Sequence, residues 1–138
     1  MNPDWKDKYN EYQMLMQQLQ QLEQNSEIIE KHVSDLNSLK ENLGNVSKVK
    51  TNTESLLPIG NGIFLRGELK DSSSVVMNVG AGVLLEKSVK EAIDSVESQL
   101  LEVKSFLDQL KNEIVNTRES LFSLQEEIQS AAQEKMQE

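Results

Sequence analysis

Apolar residues recur through the last third of the chain at alternating intervals of three and four: Ile93, Val96, Leu100, Val103, Leu107, Leu110, Ile114, Thr117, Leu121, Leu124, Ile128 and Ala131. Only Thr117 interrupts the apolar series, which runs for nearly six heptads. A 3.5-residue repeat kept that long holds one narrow stripe against a partner helix, so it predicts a coiled coil. Ser88 followed by Glu91 is the pattern of a capping box, in which two side chains satisfy backbone donors reciprocally, and it marks the helix start.

The first third repeats the spacing at Tyr12, Leu15, Leu19, Leu22, Ser26, Ile29, Val33 and Leu36, then slips to Leu39, Leu43 and Val46. A step of three where four is due predicts a stammer in the supercoil. Gly44 weakens its helix by ~1 kcal/mol relative to alanine, which predicts fraying or a bend. Asn2 with Pro3 behind it suits a helix start, and Asp4 and Asp7 then sit at the positive end of the dipole. So narrow a stripe cannot stand alone. Arms 1–54 and 88–138 are therefore expected to pair antiparallel, each roughly 70–80 Å long at ~1.5 Å per residue. The two chain ends then meet far from residues 55–87.

Residues 55–87 lose the helical period. Short β-rich runs cover Ser55–Ile59, Ile63–Leu69, Val75–Val79 and Val83–Leu85, separated by Gly60-Asn61-Gly62, Asp71-Ser72-Ser73-Ser74 and Gly80-Ala81-Gly82. Two consecutive hairpins follow, because the glycines supply positive φ and the Asp-Ser cluster can bond its own turn. In the second run Ile63, Leu65 and Leu69 share one face, opposite Arg66, Glu68 and Lys70; the third and fourth runs read as apolar on both faces. Four short uncovered strands leave apolar faces and open edges, a hazard that closing a barrel of about eight strands removes. This chain has half that number, so an obligate oligomer is expected, held by Ile63, Phe64, Leu65, Val75, Val76, Met77, Val79, Val83, Leu84 and Leu85. The expected fold is α+β, mainly α. One domain over 1–138 is a long antiparallel two-helix coiled coil (1–54 and 88–138) joined by two β-hairpins (55–87) that contribute to an intersubunit β-barrel.

Composition narrows the function. Aromatic residues are only 4% of the 138, too few for an ordinary globular core. The formal charge of −9 argues against nucleic acid and against an anionic membrane surface as partners. No cysteine is present, which removes thiol catalysis and thiolate metal sites. The start is polar and no run of ~18 apolar residues occurs, so a soluble, cytoplasmic chain is expected. Residues 1–54 carry net charge −3, residues 55–87 zero and residues 88–138 −6. The carboxylates are thus spread along solvated helix flanks rather than gathered in a pocket. Gly60-Asn61-Gly62 and Gly80-Ala81-Gly82 lack the third glycine and the following helix of a dinucleotide fingerprint, and read as turns. His32, the only histidine, cannot assemble a metal site or a relay with a nucleophile. No catalytic residue, cofactor or metal is expected.

The chain ends are less uniform. Trp5, Tyr9, Tyr12, Met14, Leu15 and Met16 fall within twelve residues, and the other arm ends with Leu121, Phe122, Ala131, Ala132 and Met136. Met14, Met16, Phe122, Ala132 and Met136 lie off the stripe. Off-stripe apolar groups at a free tip stay partly exposed, and methionine suits varied apolar partners.

Long helix, Leu57-Pro58-Ile59-Gly60-Asn61-Gly62-Ile63-Phe64-Leu65-Arg66-Gly67-Glu68-Leu69, then Val75-Val76-Met77-Asn78-Val79-Gly80-Ala81-Gly82-Val83-Leu84-Leu85-Glu86-Lys87, then long helix, resembles the prefoldin family in its archaeal, two-hairpin alpha type. The outer heptads are generic; the Val-Gly-x-Gly run leading into Glu86-Lys87 and a helix is the more specific part. The resemblance implies a hexamer of two alpha with four beta subunits, its strands forming two barrels. It implies an ATP-independent holdase in the cytosol that passes non-native proteins to a group II chaperonin. It places client binding at the coiled-coil tips, here Tyr9, Tyr12, Met14, Met16, Phe122, Ala132 and Met136. Two alternatives remain: a filament-forming, alpha-like prefoldin, and a structural coiled-coil tether binding one partner protein.

Overall fold

The computed structural model describes the backbone of residues 4–137 and the side chains of residues 5–134. The helix start expected at Asn2 and Pro3, and the side chain of Met136, lie outside the described residues. The elements in order are α1 (Asp4–Val46), β1 (Thr53–Gly60), β2 (Ile63–Leu69), β3 (Ser74–Asn78), β4 (Leu84–Ser88) and α2 (Val89–Gln137). Both helices are continuous, and β1–β2 and β3–β4 are two separate two-stranded antiparallel sheets.

Helix α2 begins where its cap requires. Ser88 Oγ accepts a hydrogen bond from Glu91 N at 3.1 Å, one arm of the expected box, and Val89 N donates to Ser73 O at 2.9 Å. Two of the four orphan donors of the first turn are thereby satisfied. All twelve positions of the predicted stripe are buried or half-buried, and buried Val89 and Ala92 carry it to the helix start.

Helix α1 corrects the expected slip. Its inward positions run Trp5, Lys8, Tyr12, Leu15, Leu19, Leu22, Ser26, Ile29, Val33, Leu36, Lys40 and Leu43, alternating three and four, and then step by three to half-buried Val46 at the helix end. Leu39 instead lies 45% exposed. Lys40 can take the seam position because its aliphatic stem covers apolar surface while Nζ reaches Glu97 Oε1 at 3.1 Å. The helix runs through Gly44 and closes two residues later. Lys48 N bonds Asn45 O and Val49 N bonds Val46 O, both at 3.1 Å, tightening the final turn.

The described chain divides into two compact units. The first joins α1 up to His32 with α2 from Val103. Its core is Leu22, Leu110 and Ile114, with Leu19 and Ile29 packed against them. Lys8 pairs with Glu127 at 3.5 Å, Glu23 with Arg118 at 2.7 Å and Glu30 with Lys111 at 3.6 Å. Numbers rise on one helix as they fall on the other, so the pairing is antiparallel, as expected. These pairs are substantially exposed and contribute at most ~1 kcal/mol each, so the apolar seam holds the unit. The second unit, Val33–Glu102, contains both hairpins and buries Leu36, Val89, Ala92, Val96 and Leu100. No helix of the described residues is long and apolar enough to cross a membrane.

At Gly44 an added Cβ meets nothing within 4 Å, and the residue is helical. Gly44→Ala is therefore expected to stabilise the protein by ~1 kcal/mol. A higher thermal midpoint by circular dichroism, at unchanged assembly size, checks it.

Candidate functional site

The β1–β2 hairpin closes on Asn61 and Gly62, whose φ values of 48° and 77° are those of a primed two-residue turn, the type that matches strand twist. Ile59 is accommodated by a bulge between Pro58 and Gly60. The register pairs Leu57 with Leu65, Ser55 with Gly67 and Thr53 with Leu69 on one face, and Leu56 with Arg66, Pro58 with Phe64 and Glu54 with Glu68 on the other. Because side chains alternate across a strand, the first face carries Leu57, Ile63, Leu65 and Leu69 as one apolar surface. A Cβ on Gly67 would meet Leu57 Cδ1 at 2.9 Å, so Leu57 lies across the dent that glycine leaves on this face. The opposite face is mixed: Leu56, Pro58 and Phe64 near the turn, then Arg66 Nε 3.9 Å from Glu54 Oε1 toward the base.

The β3–β4 hairpin pairs Val75 with Lys87, Met77 with Leu85, Val76 with Glu86 and Asn78 with Leu84. Val79 N donates to Val83 O at 3.0 Å, which extends the ladder to the turn. One face thus carries Val75, Met77, Val79, Val83 and Leu85, with Lys87 beside Val75 at its base. The expectation that both faces are apolar is corrected here, because Val76 and Leu84 share theirs with Ser74, Asn78, Glu86 and Ser88. The two apolar faces are left uncovered within the chain: Leu57, Ile63 and Leu65 are 52, 58 and 54% exposed, and Val79, Val83 and Leu85 are 48, 49 and 46% exposed. All ten residues expected to hold an oligomer lie on these hairpins, and Phe64, Val76 and Leu84 fall on the mixed faces. Sequence reasoning missed Leu56, Leu57 and Ile59 of β1, all exposed, although the run Leu56-Leu57-Pro58-Ile59 carried the signal.

Between the hairpins, Asp71 organises the turn. Its Oδ1 accepts from Ser73 N at 2.8 Å and Ser73 Oγ at 2.6 Å, and its Oδ2 from Ser74 Oγ at 2.8 Å. These bonds, the Ser73 hydroxyl foremost, favour the ionised carboxyl and lower its pKa below the ordinary value. Ser74 Oγ also lies 3.0 Å from Glu86 Oε1, linking the turn to β4.

In the other unit the helix ends expose apolar side chains: Met14 71%, Phe122 63%, Met16 47% and Tyr9 46%. Ala132 is exposed, whereas Tyr12 is half-buried in the seam. Tyr9, Met16, Glu23 and Glu30 are spaced by sevens and so share one flank of α1; Lys111, Arg118, Gln125 and Ala132 do the same on α2. The Glu23–Arg118 and Glu30–Lys111 bonds identify these as the same flank of the pair. Tyr9, Met16 and Ala132 therefore lie on the same flank of the pair. Elsewhere on this unit a shallow groove of about 500 Å³ has Glu11, Glu119 and Glu127 around Leu15 and Leu124. Ile28, Leu39, Leu101, Phe106 and Val115 are also exposed but scattered singly, which is ordinary for a helical surface.

Comparison with known proteins agrees with this geometry. Residues 15–134 match the family model described as Prefoldin subunit. "Prefoldin subunit alpha" of Pyrococcus horikoshii is 38% identical over 93 residues, covering 67% of this chain and 63% of that protein. The match thus spans less than two thirds of that relative's own length. "Prefoldin subunit alpha" of Methanococcus aeolicus is 28% identical over 137 residues, 99% of this chain and 90% of that one. Among solved structures, the filamentous PFD from Methanocaldococcus jannaschii superposes with a TM-score of 0.74 at 16% identity, covering 84% of this chain and 96% of that chain.

For the Asp71 turn, a depressed folded pKa means that its stabilisation is present above the ordinary carboxyl pKa and is lost as pH falls through the folded value. NMR titration is expected to show Asp71 ionising below an unperturbed aspartate, and Ser73→Ala with Ser74→Ala to bring it back up.

Proposed function

The chain belongs to the prefoldin family, and from that premise we propose that it is the alpha-type subunit of an ATP-independent holdase of the cytoplasm. Its hairpins join those of other subunits, two alpha with four beta, and close barrels that no single chain completes. The paired helix ends then capture non-native polypeptides for delivery to a group II chaperonin. The observation that carries this reading is the exposure of Tyr9, Met14, Met16 and Phe122 at paired helix ends on a chain that is otherwise strongly acidic. An unfolded segment differs from a folded protein chiefly in the apolar side chains it presents, and those are what such a surface removes from water. Tyr9, Met16 and Ala132 offer one contact line; Phe122 widens it; Met14, two residues from Met16, is exposed on another face of α1; Tyr12 borders the line from the seam; Met136 is assigned to it from the sequence.

Each such surface is small, so its affinity for one segment is low. Several held at once on one unfolded chain give avidity, because after the first contact the others bind intramolecularly. Release needs no nucleotide, since each weak contact dissociates on its own. Acidic flanks such as the groove of Glu11, Glu119 and Glu127 keep the empty tips apart and soluble.

A second reading is favoured by one observation. The hairpins are independent sheets, and the M. jannaschii protein of the same fold is filamentous. A chain with two separate joining elements can polymerise with itself, one hairpin to each neighbour.

Two experiments test these statements. Leu65→Asp and Leu85→Asp place an unpartnered charge on the apolar hairpin faces and are expected to reduce assemblies to single chains by light scattering, whereas Arg66→Gln leaves the size unchanged. Long polymers of the purified chain alone support the filament reading; a defined mass only with added beta subunits supports the hexamer. The assembled complex is expected to suppress aggregation of a denatured test protein at equimolar ratio. Met16→Ser with Phe122→Ser is expected to lose most of that protection at unchanged mass. No protection by the intact complex overturns the holdase reading.

A further inference from the structure

The two strands of the first hairpin differ in what their outer edges offer. In an antiparallel ladder, successive residues turn their backbone groups alternately toward the partner strand and away from it. Leu69 O accepts Asn52 N at 2.6 Å, so Leu69 faces β1; Leu65 and Gly67 share its parity. Phe64, Arg66 and Glu68 therefore turn their N–H and C=O groups outward from β2. By register, the outward residues of β1 are their partners Pro58, Leu56 and Glu54. Pro58 has no N–H, so one of three outward donors on β1 is missing, at the end of the strand nearer the turn. Proline belongs at this place for the same reason, since at an inward position it would remove a bond from the hairpin's own ladder.

The second hairpin has no such gap. The bonds Val79 N to Val83 O and Val89 N to Ser73 O set the same odd-inward parity. Ser74, Val76 and Asn78 on β3, and Leu84, Glu86 and Ser88 on β4, then present complete outer edges.

We propose that the hydrogen-bonded ladder to a neighbouring chain is built on the outer edge of β2, and that the outer edge of β1, interrupted at Pro58, is the weak seam of the assembly. The partner is an edge strand of a neighbouring hairpin-bearing chain, which brings the same unpaired backbone groups. Proline on an exposed edge is a device by which sheets limit pairing there. Here it leaves one edge of the hairpin open and blunts the other, so that joining has a direction. This inference rests on the reading that the hairpins join subunits and adds which strand does so.

Residue-resolved amide hydrogen exchange on the full chain tests it, in the assembly identified by light scattering and in dilute single chains. On assembly, the amides of Phe64, Arg66 and Glu68 are expected to slow at least tenfold more than those of Glu54 and Leu56. The inward amides of Leu65 and Gly67 report the hairpin itself and are expected to be protected in both samples. Equal or greater slowing at Glu54 and Leu56 overturns the inference while leaving assembly through the hairpins intact. Failure of the chain to assemble with itself or with beta subunits overturns both. A second measurement is independent of this pattern. Pro58→Thr restores the missing donor and is expected to slow exchange of chains between labelled and unlabelled assemblies about fivefold, the effect of one net hydrogen bond. Unchanged or faster exchange overturns the weak-seam assignment.

Discussion

A stripe of apolar residues too narrow to be buried by one helix alone sets everything else in this molecule. Each helix presents roughly two inward positions in seven, and these leave water only when a second helix faces them. Antiparallel pairing satisfies both stripes within one chain, as the three ion pairs of the first unit record. The seam tolerates Ser26 and Thr117, both buried, and Lys40, half-buried, because the spacing matters more than any single side chain. The remaining helix surface is then free to be polar, and in this chain it is mostly acidic.

The hairpins obey the opposite rule. A two-stranded sheet has one apolar face and two open edges but no layer to cover them, and such a unit is marginal by itself. In the second unit the helix segments bury their own seam and leave Leu57, Ile63 and Leu65 in solvent. What the helices complete internally, the hairpins leave to be completed by other chains in the proposed assembly. The same chain is thus self-sufficient in one part and dependent in another.

Much of this was legible in the residues. The twelve-position stripe from Ile93 to Ala131 is a long periodic signal, and each of its positions packs as the spacing requires. Asn61-Gly62 announced its turn through the positive φ both residues adopt. Two expectations failed for identifiable reasons. At Leu39 a reading by hydrophobicity alone preferred leucine to lysine, although a lysine stem is apolar and its charge can leave the seam toward Glu97. At Val76 and Leu84 a run of apolar residues masked an alternation already present, which sets Val76 with Ser74 and Asn78, and Leu84 with Glu86 and Ser88. The edge parity around Pro58, by contrast, required the pairing register. At the helix ends, the off-stripe positions of Met14, Met16 and Phe122 were readable, but the grouping of Tyr9 and Met16 with Ala132 on one flank required the cross-helix ion pairs.

The bond from Val89 N to Ser73 O joins the turn between the hairpins to the first residue of the second helix. That donor belongs to the helix's unsatisfied end, and Ser88 caps the same turn through Glu91 N. The Val89–Ser73 bond is also the next rung of the β3–β4 ladder beyond Ser74 and Ser88. The base of the second hairpin and the start of the helix therefore share one donor, and opening either exposes it to water.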